Sequence, residues 1–263
     1  MAVLGAGAMG EVLAGGLLRA GWQPADLILV ARREERRREV EDRTGVAATL
    51  DPAAAIEGRG VVVVAVKPAD VPALIGQIRE AIRPGQVLLS MAAGVPTSRF
   101  EEDLEGVAVV RAMPNTPAQI DQAITALCGG AHADEAALEA AERVLSAVGG
   151  TLRLDEYLLD PVTAVSGTGP AYVFLLAEAL TEAAIREGLP RHAAERTVRQ
   201  TIRGAGMLLA AVEEGPEYLR AQVTSPGGTT AAAMHVLEER GFRALVEDAV
   251  RAAAARSREM GKE

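Results

Sequence analysis

Short apolar runs alternate with amphipathic stretches through the first half of the chain. The runs are rich in valine and leucine, and the stretches between them have the spacing of helices with one apolar face. This order predicts repeated strand–helix–strand units and a largely parallel sheet. Strands are predicted at residues 2–4, 27–31, 60–66, 87–91 and 107–111, and helices at residues 11–20, 34–44 and 69–82.

The pattern changes near Ala133, beyond which strand-like runs nearly vanish and helical spacing dominates. Helices are predicted at residues 161–166, 170–187, 191–212, 216–223, 229–240 and 242–260, with Gly188 and Gly241 as stops. We therefore predict an α/β domain at residues 1–150 and an all-helical domain at residues 151–263. The long alanine-rich helices have more apolar surface than one small bundle needs, so we expect them to form a homodimer or higher homo-oligomer.

Composition narrows the class of protein. The 263 residues favour about two domains. A net charge of −9 opposes nonspecific binding to nucleic acid, so no nucleic-acid partner is expected. The single cysteine, Cys128, excludes an internal disulfide, and the three histidines lack metal-ligand spacing, so no metal is expected. No signal peptide and no membrane-length apolar run is evident, which favours the cytoplasm and no membrane partner.

A glycine-rich loop lies between the first predicted strand and the first predicted helix. It has the GxGxxG pattern, whose glycines permit a tight turn and close approach to a pyrophosphate, while the helix N-terminus supplies amide donors. A mere tight turn is the alternative, but the position in the first strand–helix unit favours a dinucleotide and a Rossmann-type doubly wound sheet. The predicted cofactor-binding residues of this loop are Gly5, Ala6, Gly7, Ala8, Met9 and Gly10.

Two arginines follow the second predicted strand, where an NAD site usually has an acidic residue against the ribose. Arg32 and Arg33 favour NADP, because guanidinium groups bind phosphate in a bidentate way. We therefore expect NADPH as cofactor, with NADH possible but weaker. The alternative is that both belong to the solvated basic face of a helix that continues to Arg38.

Three further turns follow predicted strands, at residues 65–68, 90–95 and 113–117. In open α/β sheets ligands bind at the carboxyl ends of the strands, so we expect these turns to line the nicotinamide side of a cleft. Each taken alone could be an ordinary turn that contains proline or glycine.

Two segments of the helical half carry a more specific signal. They are Ser-Gly-Thr-Gly-Pro-Ala-Tyr at residues 166–172 and Thr-Ser-Pro-Gly-Gly-Thr-Thr at residues 224–230. Together with the glycine loop, these segments resemble pyrroline-5-carboxylate reductase, and the resemblance covers essentially the whole chain. It implies NADPH-dependent reduction of pyrroline-5-carboxylate to proline by hydride transfer to the C=N carbon.

The resemblance also implies roles for particular residues. Thr230 matches the threonine whose hydroxyl contacts the substrate nitrogen, so it is the predicted catalytic residue. Amides at the start of the following helix would bind the substrate carboxylate. The predicted substrate-binding residues are Ser225, Gly228, Thr229, Thr230 and Glu156. The further predicted cofactor contacts are Ala65, Val66, Lys67, Pro68, Met91, Ala92 and Ala93.

Several of these residues could instead have structural roles without contact to a ligand. Ser225 and Thr230 could simply cap a helix, Glu156 could be an exposed carboxylate, and Lys67 could lie on a solvated turn. Where the family commonly has an asparagine at the adenosine ribose, this chain has Asp51, so that contact is not carried over. Rival functions are a related reductase of another cyclic imine or a 3-hydroxy acid, and a protein that binds NADP without turnover. The absence of lysine from residues 166–174 disfavours the hydroxy-acid chemistry.

Overall fold

The computed structural model describes residues 1–260, and within them eight strands form one sheet. The strand order is β3-β2-β1-β4-β5-β6-β7-β8, in which the first six follow the Rossmann arrangement. The pairs are parallel except that β7 runs antiparallel to β6. The strands are β1 (Ala2–Leu4), β2 (Ile28–Val30), β3 (Ala48–Thr49), β4 (Val61–Val64), β5 (Val87–Ser90), β6 (Ala108–Met113), β7 (Ala123–Gly129) and β8 (Gly149–Arg153).

Helices cover both faces of this sheet. Neighbouring strand residues point to opposite faces, so Val3 packs in one apolar cluster while Ala2 and Leu4 pack in another. β1 and β4 are therefore apolar at every position, as burial on both faces requires. The helices of this part are α1 (Ala8–Arg19), α2 (Glu34–Thr44), α3 (Pro52–Ile56), α4 (Val71–Ile78), α5 (Thr97–Glu101), α6 (Glu135–Leu145) and α7 (Leu159–Val162).

The predicted α/β pattern is confirmed, and the bounds of α2 agree with the prediction. Its end is fixed by Gly45, which has the left-handed φ of 70° that glycine adopts freely. The sequence did not predict β3, β7, β8, α3, α5 or α6. The region beyond Ala133, expected to be helical, contributes β8, because Gly149–Arg153 pairs in parallel with β7.

The chain forms two compact units, which divide between Thr168 and Gly169 rather than at Thr151. Thr151 lies inside β8, opposite Thr125 of β7, so a boundary there would cut the sheet. The first unit comprises Met1–Thr168 and the C-terminal segment from Ala253, and the second comprises Gly169–Ala252. A π-helical turn at Thr163–Gly167 ends the continuous part of the first unit.

The second unit is helical, as predicted. Ala194 and Val198 are its buried apolar residues among those described, whereas Phe174, Leu175 and Met207 are 60–65% exposed. A single copy therefore leaves much of the apolar surface of these helices uncovered. No helix within residues 1–260 is long and apolar enough to cross a bilayer. The helices are α8 (Gly169–Arg186), α9 (Arg191–Ala211), α10 (Pro216–Gln222), α11 (Thr229–Glu239) and α12 (Phe242–Met260), the last of which belongs to the first unit from Ala253 onward.

One buried hydroxyl in the sheet gives a test of the packing. Thr125 of β7 is fully buried, and its Oγ1 has no hydrogen-bond partner. Thr125→Val keeps the branched shape and removes the unsatisfied oxygen, so we expect the free energy of unfolding to rise by about 1 kcal/mol. Urea denaturation measures this change. Thr151→Val on the paired, half-buried position is the control and should change stability by less than about 0.5 kcal/mol; a loss of stability in Thr125→Val would show that the hydroxyl is satisfied.

Candidate functional site

The glycine loop lies at the point where the strand order of the sheet reverses. β1 is flanked by β2 on one side and β4 on the other, and the chain runs from β1 into the Gly5–Gly10 loop at its carboxyl end. In doubly wound sheets this switch point opens a crevice beyond the strand ends. The loops that follow β1, β2 and β4 therefore border one ligand site within the first unit.

Each of the three positions in the GxGxxG pattern requires glycine for a different physical reason. Gly5 has a φ of 118°, and a Cβ there would lie 2.7 Å from the carbonyl oxygen of Ala65. A Cβ on Gly10 would overlap the Gly5 carbonyl oxygen, so α1 can approach β1 only with glycine there. A Cβ on Gly7 would meet no atom within 4 Å. Gly7 thus borders open space, where a pyrophosphate can approach the backbone.

The N-terminus of α1 offers hydrogen-bond donors to that space. Gly7 is its N-cap residue, and no side chain caps the helix. The Gly5 and Ala6 amides both donate to the carbonyl of Val30, at 3.1 and 2.8 Å, which anchors the loop to β2. The amides of the first turn have no intrahelical acceptor and carry the positive end of the helix dipole. The loop therefore fits the pyrophosphate of a dinucleotide.

Arg36 fixes the glycine loop from α2, a role that the sequence did not reveal. Its Nε donates to the carbonyl oxygen of Ala6 at 2.8 Å, and its Nη2 lies 2.9 Å from the Glu11 carboxylate of α1. In the sequence, Arg36 is only one of several arginines in a row, and nothing there distinguishes it from its neighbours as a contact of the glycine loop.

The other arginines of this run divide into two groups. Arg37 and Arg38 both pair with Glu34 on the same helix, and their hydrogen bonds lower the pKa of Glu34 to about 2. Arg37 and Arg38 therefore pair within α2 and are not directed at the glycine loop. Arg32 instead reaches Asp70, beyond β4, while Arg33 has no ion pair among the described residues.

The predicted contacts beyond β4 and β5 differ in what their side chains can do. Lys67 is exposed, which suits both a cofactor contact and a lysine on a solvated turn. Ala92 is buried in the apolar cluster on one face of the sheet, so only its backbone can face a ligand. Ala65, Val66, Pro68, Met91 and Ala93 are half-buried at the strand ends.

Glu156 lies in a network inside the first unit. Its carboxylate accepts hydrogen bonds from the Thr97 amide at 2.9 Å, from the Thr97 hydroxyl at 2.9 Å and from Arg111 at 3.1 Å. The Arg111 side chain is only 9% exposed, so Glu156 neutralises a buried cation. Both carboxylate oxygens are thereby engaged, which argues for a structural role over the predicted substrate contact.

Asn115 joins two of the motifs that the sequence singled out. Its Nδ2 donates to the carbonyl of Ser166 in the π-helical turn at 3.2 Å, and its Oδ1 accepts from the Ile124 amide at 3.2 Å. Gly167 lies close by, where a Cβ would approach the Met113 side chain to 3.2 Å. The turn after β6 and the turn before α8 are therefore held together through one buried amide.

The segment Ser225–Thr230 forms a tight turn ahead of α11. Gly227 has a φ of 70°, and a Cβ on Gly228 would overlap the Ser225 hydroxyl. Gly228 is the N-cap residue, and no side chain caps α11, so the helix-capping alternative for Ser225 is not observed. The Gly228 amide donates to the Ser225 carbonyl at 3.0 Å, so it is already engaged and differs from the predicted donor to a substrate carboxylate. The amides of Thr229 and Thr230 remain in the uncapped first turn.

Cys128 is buried in β7, and burial raises the pKa of its thiol to about 11, with a further contribution from the charge of Glu156. The thiol is therefore protonated near neutral pH and is a poor nucleophile.

A Rossmann sheet with an open glycine loop at its switch point, together with arginines beyond β2, defines the first unit as a dinucleotide-binding domain of the NADP-dependent oxidoreductase class. Two family models match the chain. One, described as NADP oxidoreductase coenzyme F420-dependent, matches residues 1–94, and the other, described as pyrroline-5-carboxylate reductase dimerisation, matches residues 156–260.

Individual relatives place the chain within one family. It is 42% identical over 284 aligned positions to a pyrroline-5-carboxylate reductase of Mycobacterium tuberculosis, covering 99% of this chain and 96% of that protein. The solved pyrroline-5-carboxylate reductase of Coxiella burnetii is 34% identical with a TM-score of 0.95, covering 100% and 98%. That of Plasmodium falciparum, solved with NADP bound, is 27% identical with a TM-score of 0.88, covering 99% and 97%. The chain belongs to the pyrroline-5-carboxylate reductase family.

Substitutions in the glycine loop separate packing from cofactor binding. Gly10→Ala should lower the free energy of unfolding by about 1–3 kcal/mol, because the methyl group collides with the Gly5 backbone. Gly7→Ala has room for its methyl group, so its stability should change by less than about 1 kcal/mol, while NADPH affinity falls about tenfold because the methyl group enters the pyrophosphate space. Urea denaturation and NADPH titration measure the two effects. Unchanged NADPH affinity in Gly7→Ala would contradict this placement of the pyrophosphate.

The Arg111–Glu156 pair gives a test of the buried network. Glu156→Ala leaves the buried Arg111 with only the longer, 4.0 Å contact to Asp160, so we expect the free energy of unfolding to fall by about 3 kcal/mol. Replacing both residues together, as Arg111→Met with Glu156→Leu, should restore most of the loss. Glu142→Ala is the control, since its partner Arg153 is 35% exposed and keeps Glu135 as a second carboxylate, so the variant should cost less than about 1 kcal/mol. Equal losses in Glu156→Ala and Glu142→Ala would contradict the role of burial.

Proposed function

We propose that this protein reduces 1-pyrroline-5-carboxylate to L-proline with NADPH, the last step of proline biosynthesis. The observation that carries the proposal is the turn at Ser225–Thr230, which presents an uncapped helix N-terminus beside a threonine hydroxyl. Such an arrangement suits a small carboxylate with an adjacent nitrogen. The chain also contains a complete dinucleotide-type glycine loop, with two arginines beyond β2, so both reactants have a matching site.

The first unit would hold the cofactor. The amides at the start of α1 would bind the pyrophosphate, and Arg32 and Arg33 would bind the 2′-phosphate. Backbone groups of residues 65–68 and 91–93 would border the rest of the cofactor. When bound, NADPH supplies the hydride that reduces the C=N carbon.

The turn before α11 would hold the substrate. The Thr229 and Thr230 amides would bind the carboxylate at the helix N-terminus, with Ser225 as a further contact. The Thr230 hydroxyl would hydrogen-bond the ring nitrogen and orient it as its charge changes during reduction. These residues act by positioning the substrate.

The proposal extends to assembly and location. The exposed apolar helices and the match to the dimerisation model support a homodimer or higher homo-oligomer formed through residues 156–260. The net charge of −9 supports a protein that does not bind nucleic acid, and we propose that it acts in the cytoplasm.

An assay of NADPH oxidation with pyrroline-5-carboxylate tests the proposal directly. Parallel reactions with NADH and with the six-membered piperideine-carboxylate test the choice of cofactor and of ring size. We expect turnover to be fastest with NADPH and pyrroline-5-carboxylate. NADPH binding without turnover of either imine would instead favour a protein that only senses the cofactor.

Variants of Thr230 test the proposed catalytic contact. Thr230→Val removes the hydroxyl but keeps the shape, and we expect kcat/KM for pyrroline-5-carboxylate to fall at least about tenfold, because the hydrogen bond strengthens toward the transition state. Thr230→Ser retains a hydroxyl and should keep most of the activity. The affinity for NADPH should be the same in both variants. An unchanged kcat/KM in Thr230→Val would remove Thr230 from the mechanism.

A further inference from the structure

We propose that Asp70 competes with the 2′-phosphate of NADPH for Arg32, and that this carboxylate limits the preference of the protein for NADPH over NADH. The inference rests on the proposed use of NADPH. It assigns a specificity-determining role to a residue outside both the glycine loop and the arginine pair.

The Arg32–Asp70 ion pair joins loops on opposite sides of the glycine loop. Arg32 lies two positions after the end of β2, and Asp70 ends the short helical turn Pro68–Asp70 that follows β4. β1 lies between these strands, and its carboxyl end leads into Gly5–Gly10. The Nη2 of Arg32 is 2.5 Å from the Oδ1 of Asp70. The pair therefore bridges the two loops that flank the glycine loop.

Most guanidinium groups near Arg32 are already engaged and are not available to bind a phosphate. Arg36 is engaged with Ala6 and Glu11, and the guanidinium groups of Arg37 and Arg38 are engaged with Glu34. Arg33 has no ion pair among the described residues. Arg32 and Arg33 are thus the arginines of this run that are best placed to bind a phosphate, and Arg32 already has a carboxylate partner.

The strength of the pair decides whether Arg32 can exchange partners. The side chain of Arg32 is 72% exposed and that of Asp70 is 27% exposed, so the pair is a surface ion pair. A phosphate dianion offers Arg32 a stronger, bidentate partner than one carboxylate oxygen. Arg32 can therefore leave Asp70 when NADPH binds, but the lost pair and the repulsion between carboxylate and phosphate reduce the affinity. NADH has a neutral 2′-hydroxyl, so it gains nothing from Arg32 and leaves the pair in place.

Asp70→Asn tests the competition through binding constants. We expect the variant to bind NADPH roughly two- to fivefold more tightly than the unmodified protein at low salt, and to bind NADH with unchanged affinity. The gain should shrink at high salt, because exposed charges are screened. Asp42→Asn on α2 removes the same charge from an exposed carboxylate that has no ion pair within residues 1–260, and it should leave both affinities unchanged.

Combining Asp70→Asn with Arg32→Gln or with Arg33→Gln shows which arginine Asp70 acts through. In an Arg32→Gln background the effect of Asp70→Asn on NADPH affinity should disappear, whereas in an Arg33→Gln background it should persist. Calorimetric titration with NADPH and NADH supplies all of these constants.

Three results would overturn the inference. Weaker NADPH binding by Asp70→Asn would mean that the carboxylate orients Arg32 for the phosphate. Equal changes for NADPH and NADH, or no change for either, would mean that Asp70 does not distinguish the cofactors. Failure of the proposed function is a separate result, because a protein that binds NADPH with these preferences but does not turn over pyrroline-5-carboxylate would leave the competition intact.

Discussion

A buried guanidinium in the sheet constrains the architecture of the first unit. Arg111 lies in β6, and the charge of its side chain must be balanced because burial removes it from water. Glu156 balances it and at the same time accepts both hydrogen bonds of Thr97 at the start of α5. Asp160, 4.0 Å from Arg111, accepts a hydrogen bond from Ser257 of α12. One charge thus links segments that are far apart in the sequence.

This network also fixes the loop that follows β5. Thr97 ends the stretch that begins at Met91, so the carboxyl end of β5 is held at one side by the sheet and at the other by Glu156. A cofactor pocket needs walls that keep their shape when it is empty, because ordering a loop on binding reduces affinity. Thr97 and Arg111, which hold Glu156 in this network, lie outside the turns at residues 90–95 and 113–117 that the sequence singled out.

The sequence was sufficient for features that depend on local pattern. Apolar runs located the central strands, and glycine spacing located the loop after β1. It was insufficient for β8, whose Gly149 has a φ of 147° and packs so closely on Ala123 that a Cβ would overlap it. The hydrogen-bond partners of individual side chains could not be predicted from the sequence either. Arg36 and Arg37 are adjacent in the sequence, yet one binds the glycine loop and the other a glutamate of its own helix, because only the folded chain brings Ala6 to α2.

The exposed helices of the second unit connect folding to protein concentration. With Ala194 and Val198 as its buried apolar residues among those described, this unit gains little hydrophobic stabilisation from a single copy of the chain. Its stability must come largely from association, so the fraction of folded, active protein depends on how many chains are available to associate. Dilution would then lower the activity per mole of chain, because a smaller fraction of the chains would be associated. Raising the amount of protein synthesised would raise both the total activity and the activity per mole of chain.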